Sequence, residues 1–135
     1  MVASPPQVTF KLMTAGGVPL TGLVPYWEAS SRYVRFTMTK LVPGTNGGPN
    51  SWVSYTRDGN TNAPDYDTGS SLVDNGDGSY TFTFNTDVTN VPGVTWEPTL
   101  THRVAGQVGS SSVPIQPQNL VYDYIPSGGA VTEMR

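Results

Sequence analysis

Turn signals rich in glycine or proline interrupt this chain again and again, and so many breakers leave little room for helices. The interruptions are Gly16-Gly17-Val18-Pro19, Pro43 to Pro49, Arg57 to Ser71 with its Gly59, Pro64 and Gly69, Asp74 to Gly78, Pro92-Gly93 and Pro126 to Gly129. Fifteen glycines and twelve prolines make up one-fifth of the 135 residues, below the roughly 25–30% that marks low-complexity disorder. A chain of this length suits one domain and can bury roughly two-thirds of its unfolded surface without staples. Only 13% of the residues are charged, which argues against a surface helix laced with ion pairs.

The segments between turns alternate with period 2. Val8, Phe10 and Leu12 alternate with Thr9, Lys11 and Met13, and Val34, Phe36 and Met38 alternate with Arg35, Thr37 and Thr39. Tyr80, Phe82 and Phe84 do the same against Thr81, Thr83 and Asn85, as half-buried strands require. Further strands are expected around Trp52, Val53 and Tyr55, through Leu100, His102 and Val104, and at Asn119 to Ile125, with a short strand or edge segment at Val18 to Val24. In the strand at Asn119 to Ile125, Val121 and Ile125 should share one face and Leu120, Tyr122 and Tyr124 the other. Asp74-Asn75-Gly76-Asp77-Gly78 is a hairpin signal, because Asn-Gly and Asp-Gly supply positive-φ residues. The pattern predicts an all-β domain over residues 1–126, an antiparallel Greek-key sandwich or split β-barrel of immunoglobulin-like kind. Seven or eight strands, no helix and no internal repeat are expected. Residues 127–135 read as the start of a linker.

Composition excludes several function classes. The chain has no cysteine, so it holds no disulfide, thiolate metal site or thioether-attached haem. It has one histidine, so no site with two imidazole ligands can be built from this chain alone. Seven basic residues in a chain of net charge −3 give no electrostatic footprint for nucleic acid. No apolar run approaches the roughly 18 residues of a membrane span. The first six residues lack a signal-peptide pattern, so the leader of an exported protein is expected to lie outside the sequence given.

Catalytic readings find little support. A Ser-His-Asp arrangement would need His102 as base, but no Gly-x-Ser-x-Gly elbow is present, and a mid-strand histidine on an apolar face is expected to be a core residue satisfied by a backbone carbonyl. Paired carboxylates drawn from Glu28, Glu97 and the aspartates would lack a substrate cleft in so small a domain. No catalytic residue is assigned. The acidic stretch is different: Asp58, Asp65 and Asp67 offer hard oxygen ligands on a loop and are the calcium candidates. Their spacing matches no EF-hand, and aspartate is also an ordinary turn former. Trp27, Trp52 and Trp96, with Tyr26, Tyr33, Tyr55 and Tyr66, could build a stacking platform for a sugar or a flavin, or simply fill strand cores.

Four segments, taken in order and spacing, carry a more specific signal. They are Val8-Thr9-Phe10; Tyr33-Val34-Arg35-Phe36-Thr37 running into Thr39-Lys40-Leu41-Val42-Pro43-Gly44; Leu72-Val73-Asp74-Asn75-Gly76-Asp77-Gly78-Ser79-Tyr80-Thr81-Phe82-Thr83-Phe84; and Pro98-Thr99-Leu100-Thr101-His102-Arg103-Val104 with Val121-Tyr122-Asp123-Tyr124-Ile125-Pro126. Together they resemble the haem-free N-terminal β-domain of the outer-surface decahaem c-type cytochromes of metal-reducing bacteria, from about Val8 to Arg135. The resemblance implies a parent protein with haem c attached downstream, placed on the outer cell surface and passing electrons to extracellular metal oxides or flavins. This chain carries no Cys-x-x-Cys-His motif and would have no redox chemistry of that kind. Its implied role is structural: to pack against the haem domain of the same chain, and to dock on an outer-membrane porin, a partner cytochrome, a flavin or a mineral surface. No cofactor-binding residue carries over, and His102 is an imidazole that could serve as a distal ligand to a haem held elsewhere. The alternative is an immunoglobulin-like adhesion or carbohydrate-binding module of a cell-surface protein, since Asp-Asn-Gly-Asp-Gly-x-Tyr hairpins also occur in such domains.

Overall fold

The computed structural model describes residues 5–14, 16–29, 34–57, 63–110, 115–129 and 131. Among them seven strands form two antiparallel sheets: β1 (Gln7–Lys11), β2 (Val34–Val42), β3 (Ser51–Ser54), β4 (Ser71–Asp74), β5 (Ser79–Thr83), β6 (His102–Ser110) and β7 (Ile115–Tyr124). One sheet has the order β1-β5-β4 and the other β3-β2-β6-β7. Mapped onto an immunoglobulin-type sandwich, these are the strand sets B-E-D and C′-C-F-G, joined by Greek-key crossings. The sheets do not close into a barrel, so the sandwich is the member of the expected pair that forms.

The alternating segments became strands with their apolar face inward. Val34, Phe36 and Met38 of β2 are buried, as are Tyr80 and Phe82 of β5 and Phe84 just beyond it. Aromatic rings join the sheets: Phe36 lies 4.8 Å from Phe82 and 5.7 Å from Phe10, centroid to centroid. Truncating one such ring to alanine typically costs about 3–5 kcal/mol. Phe36 is paired in register with Gly106, and a Cβ at that glycine would run into the Phe36 ring. The hairpin at Asp74 to Gly78 forms as expected, with Gly76 at φ 86° and Gly78 at φ 91°. The Asp74 and Asp77 carboxylates cap it, accepting from Gly76 N and Ser79 N at 2.9 and 3.0 Å.

Two expectations need correction. Val18 to Val24 forms no full strand: as an edge segment it contributes one bridge, Met13 to Pro19, and then turns into a six-residue helix α1 (Val24–Ala29). Pro19 has no ladder donor, and Gly22 adopts φ 87°, which ends any extended run. Pro25 then suits the first turn of a helix, where its missing N–H is no loss. The last strand begins at Ile115 rather than Asn119. Leu120 and Tyr124 pack on the core as the pattern requires. Tyr122, on the same face, is 67% exposed because it overhangs the rim of an edge strand.

Asp67 ties the two sheets together. Its backbone pairs with Phe36 of β2 through hydrogen bonds of 2.7 and 3.0 Å. Its carboxylate reaches across to the end of β5 and accepts from Asn85 N, Asn85 Nδ2, Thr86 N and Thr86 Oγ1 at 2.8–3.2 Å, and from Gly69 N at 2.8 Å. Hydrogen bonds to a charged acceptor are worth about 1.5–3 kcal/mol each, and orphaned buried donors add to the loss. Asp67→Ala is therefore expected to destabilise the domain by about 3 kcal/mol or more. The measurement is a urea unfolding midpoint; a midpoint unchanged from the parent chain would contradict the clamp.

Candidate functional site

The open side of the sandwich forms a groove. β1 is the edge of one sheet and β7 the edge of the other, and between them lies an apolar groove of about 440 Å³. Val8 and Phe10 of β1 form one wall; Leu120, Tyr122 and Tyr124 of β7 form the other; Phe36 and Val104 lie between. Val121 and Tyr122 at its lip are 62% and 67% exposed. Two outermost strands with an apolar furrow between them are features of a surface that receives another chain. The Tyr122 and Tyr124 rings are stacked, 5.6 Å apart with planes at 22°.

At one end of the groove Tyr124 meets a buried polar cluster. His102, the first residue of β6, is fully buried and its Nδ1 faces the Leu100 carbonyl at 2.8 Å. A carbonyl only accepts, so Nδ1 carries the proton, and Nε2 is left to accept from the Tyr55 hydroxyl at 2.8 Å. The core histidine with a backbone carbonyl partner is the arrangement expected from the sequence, and both ring nitrogens are occupied. Trp96 packs edge-on to His102 at 5.1 Å. Opposite His102 in register stands Lys40, itself buried, which donates to Glu97 Oε1 and to the Thr95 carbonyl, both at 2.6 Å. That ion pair pins the segment carrying Trp96 against β2.

Of the calcium candidates, the two described ones, Asp65 and Asp67, each serve local hydrogen bonds. Asp58 lies outside the described residues. Asp65 is exposed and accepts from Tyr66 N at 2.8 Å. Asp67 is 6% exposed and spends its carboxylate on the inter-sheet clamp. Among the described residues no three His, Asp or Glu side chains come together as a metal site. The aromatic residues are likewise dispersed. Tyr55 and Trp96 join the histidine cluster; Trp52 lies under the Arg103 guanidinium at 4.5 Å, and Tyr66 under that of Arg35 at 4.5 Å. Trp27 donates to the Thr68 carbonyl at 3.2 Å. Tyr33 and the Tyr26 side chain lie outside the described residues. The groove escaped the sequence reading because it depends on which strands are edges, which alternation does not reveal. The exposed Val121-Tyr122 pair was its one available signal.

Burial holds the His102 imidazole below the ordinary histidine value of 6.5, with Lys40 adding to the effect and the Leu100 carbonyl and Glu97 opposing it. Burial also pushes the phenols of Tyr55 and Tyr124 from 10.0 up to about 12. Below pH 6.5 the unfolded chain takes up a proton that folded His102 refuses, so stability falls as the medium is acidified. Above pH 10 the unfolded chain releases protons that folded Tyr55 and Tyr124 retain, so stability falls again as pH rises towards 12. The Tm is expected to decline on both sides. His102→Gln should flatten the acid side between about pH 6.5 and about pH 5, above the range where carboxylates titrate. An acid slope identical in the variant would show that another group controls it.

Among solved structures, MtrC from Shewanella baltica OS185 matches with a TM-score of 0.72 at 22% identity, over 96% of this chain and 21% of its own. The outer membrane decaheme cytochrome OmcA matches with a TM-score of 0.65 at 24% identity, over 90% of this chain and 21% of its own. No family model and no curated protein sequence matches. The chain thus spans about one-fifth of the length of these two structures. It has the fold of one domain of MtrC and OmcA, the fold that the four sequence segments led us to expect.

Proposed function

We propose that this chain is the non-haem docking domain of an extracellular multihaem c-type cytochrome. The single observation that carries the reading is the fold match along nearly the whole chain to about one-fifth of MtrC and of OmcA. The four sequence segments support it independently. On this reading the remaining four-fifths of the parent bears the haems, because this chain has no cysteine to attach one. The parent sits on the outer cell surface and passes electrons to metal oxides or flavins, and the β-domain takes no electron-transfer step through haem. Its role is structural rather than catalytic. The groove between β1 and β7 is the face that packs against the haem-bearing part of the same chain, apolar along its floor and bounded by two strand edges able to accept backbone hydrogen bonds. On this reading an outer-membrane porin, a partner cytochrome, a flavin and a mineral surface are the further docking partners.

The immunoglobulin-type strand order favours a second reading, an adhesion or carbohydrate-binding module, because that architecture is widespread among cell-surface proteins. A visible spectrum of the full-length gene product, oxidised and then dithionite-reduced, separates the two. An intense Soret band with sharp α and β bands on reduction is the expected result. A colourless protein would contradict the cytochrome assignment and leave the adhesion or sugar-binding module.

A further inference from the structure

We propose that Tyr55 and His102 form a proton-coupled redox pair, linked through Tyr124 to the exposed ring of Tyr122. The proposal rests on side-chain geometry within this domain and stands whether or not the parent carries haem. The Tyr55 hydroxyl meets His102 Nε2 at 2.8 Å, with the two rings at 13° to one another. The Leu100 carbonyl holds the proton of the imidazole on Nδ1, which leaves Nε2 as a fixed, unprotonated base aimed at the phenol. Both side chains are at most 1% exposed, so no water competes for the proton.

A tyrosine gives up an electron easily only when its proton can leave at the same time, since the phenol radical cation is strongly acidic and a bare buried charge is costly. Among the described residues the other phenols in or against the core lack such a base. Tyr80 donates to the Leu20 carbonyl at 3.0 Å and Tyr124 points to the Met38 thioether at 4.0 Å, and neither group takes up a proton at neutral pH. Tyr55 is singled out by its partner. A path to the surface follows: ring centroids are 5.5 Å apart from Tyr55 to His102, 6.1 Å from His102 to Tyr124 and 5.6 Å from Tyr124 to Tyr122. Tyr122 is 67% exposed, and Trp96 stands 5.7 Å from Tyr55 as a second neighbour.

The step balances as follows. A strong one-electron oxidant, of the metal-complex class, takes one electron at exposed Tyr122, whose phenolic proton passes to water, and its metal centre falls by one oxidation state. An electron from Tyr55 then reaches Tyr122 across the Tyr124 ring, and Tyr122 takes a proton back from water. The Tyr55 O–H bond breaks, the proton moves to Nε2, and a new N–H bond forms from the nitrogen lone pair. The products are a neutral phenoxyl and an imidazolium. Two charged groups bear on that imidazolium: Lys40, which opposes it, and Glu97, which favours it and is ion-paired with Lys40 at 2.6 Å. One electron from a mild reductant reverses the sequence, with the proton returning from Nε2 to the phenoxyl oxygen. The domain thereby holds an oxidising equivalent in its interior without a net change of charge at the phenol.

Photogenerated tris(bipyridine)ruthenium(III) is the oxidant for the test, with the 135-residue chain as substrate and the radical followed by transient absorption and electron paramagnetic resonance. A lasting tyrosyl radical is expected, forming more slowly in deuterium oxide. It should be lost in Tyr55→Phe, and in Tyr122→Phe it should form more slowly but reach the same spectrum. His102 is the one histidine in the chain, so isotopically labelled histidine tests the pair in the unsubstituted protein, whatever the variants do to folding. Magnetic coupling of the radical to the labelled imidazole nitrogen is the expected result. A tyrosyl signal without that coupling, or one undiminished in a folded Tyr55→Phe chain, would place the radical elsewhere and overturn the proposal.

Discussion

The carboxylate of Asp67 fixes how the two sheets face each other. Its own backbone belongs to the β2 edge, while its oxygens hold Asn85 and Thr86 at the end of β5. Aromatic packing between Phe36, Phe82 and Phe10 joins the sheets, but such packing is non-directional and would tolerate a slide of one sheet over the other. Five donors converging on one buried carboxylate do not tolerate it. The groove between β1 and β7 inherits its shape from that constraint, because both of its walls are sheet edges whose separation the clamp and the core set together.

The rest of the molecule divides between a closed side and an open one. On the outer face of the larger sheet, Arg103 is held by a two-point contact to Asp123 and stacked on Trp52, and Arg35 is stacked on Tyr66. These cations are tied to the domain's own partners. The groove side presents Val121, Tyr122 and the outermost strands β1 and β7 instead. A soluble domain standing alone gains nothing from that arrangement, and strand edges of this kind are normally blunted or covered. The same asymmetry gives the histidine cluster its route outward, since Tyr124 belongs both to the groove wall and to the shell of His102.

Local chemistry was legible in the sequence and distant pairing was not. The Asp74 to Gly78 hairpin could be read because its turn needs positive φ at positions where glycine stands. The β2 and β5 alternation could be read because side-chain period is a property of the strand itself. His102 could be placed in the core with a backbone carbonyl two residues away. The role of Asp67 could not be read, because its acceptors serve residues 18 and 19 positions later, and a carboxylate in an acidic loop looks alike whether it caps a turn, binds calcium or joins two sheets. The Tyr55 to His102 contact spans 47 residues and leaves no periodic trace. Helix α1 was missed because six residues containing a proline are too few to show helical periodicity.

On the function proposed above, the groove between β1 and β7 packs against a haem-bearing region of the parent protein. Hydrogen–deuterium exchange on the 135-residue chain and on the full-length gene product tests it most directly. The outward amides of edge strands exchange readily unless another chain covers them. The account predicts slower exchange in the full-length protein at Gln7–Lys11 and Ile115–Tyr124, with β2 and β5 unchanged. Equal exchange at both edges in the two proteins would show that nothing covers the groove and would contradict the account.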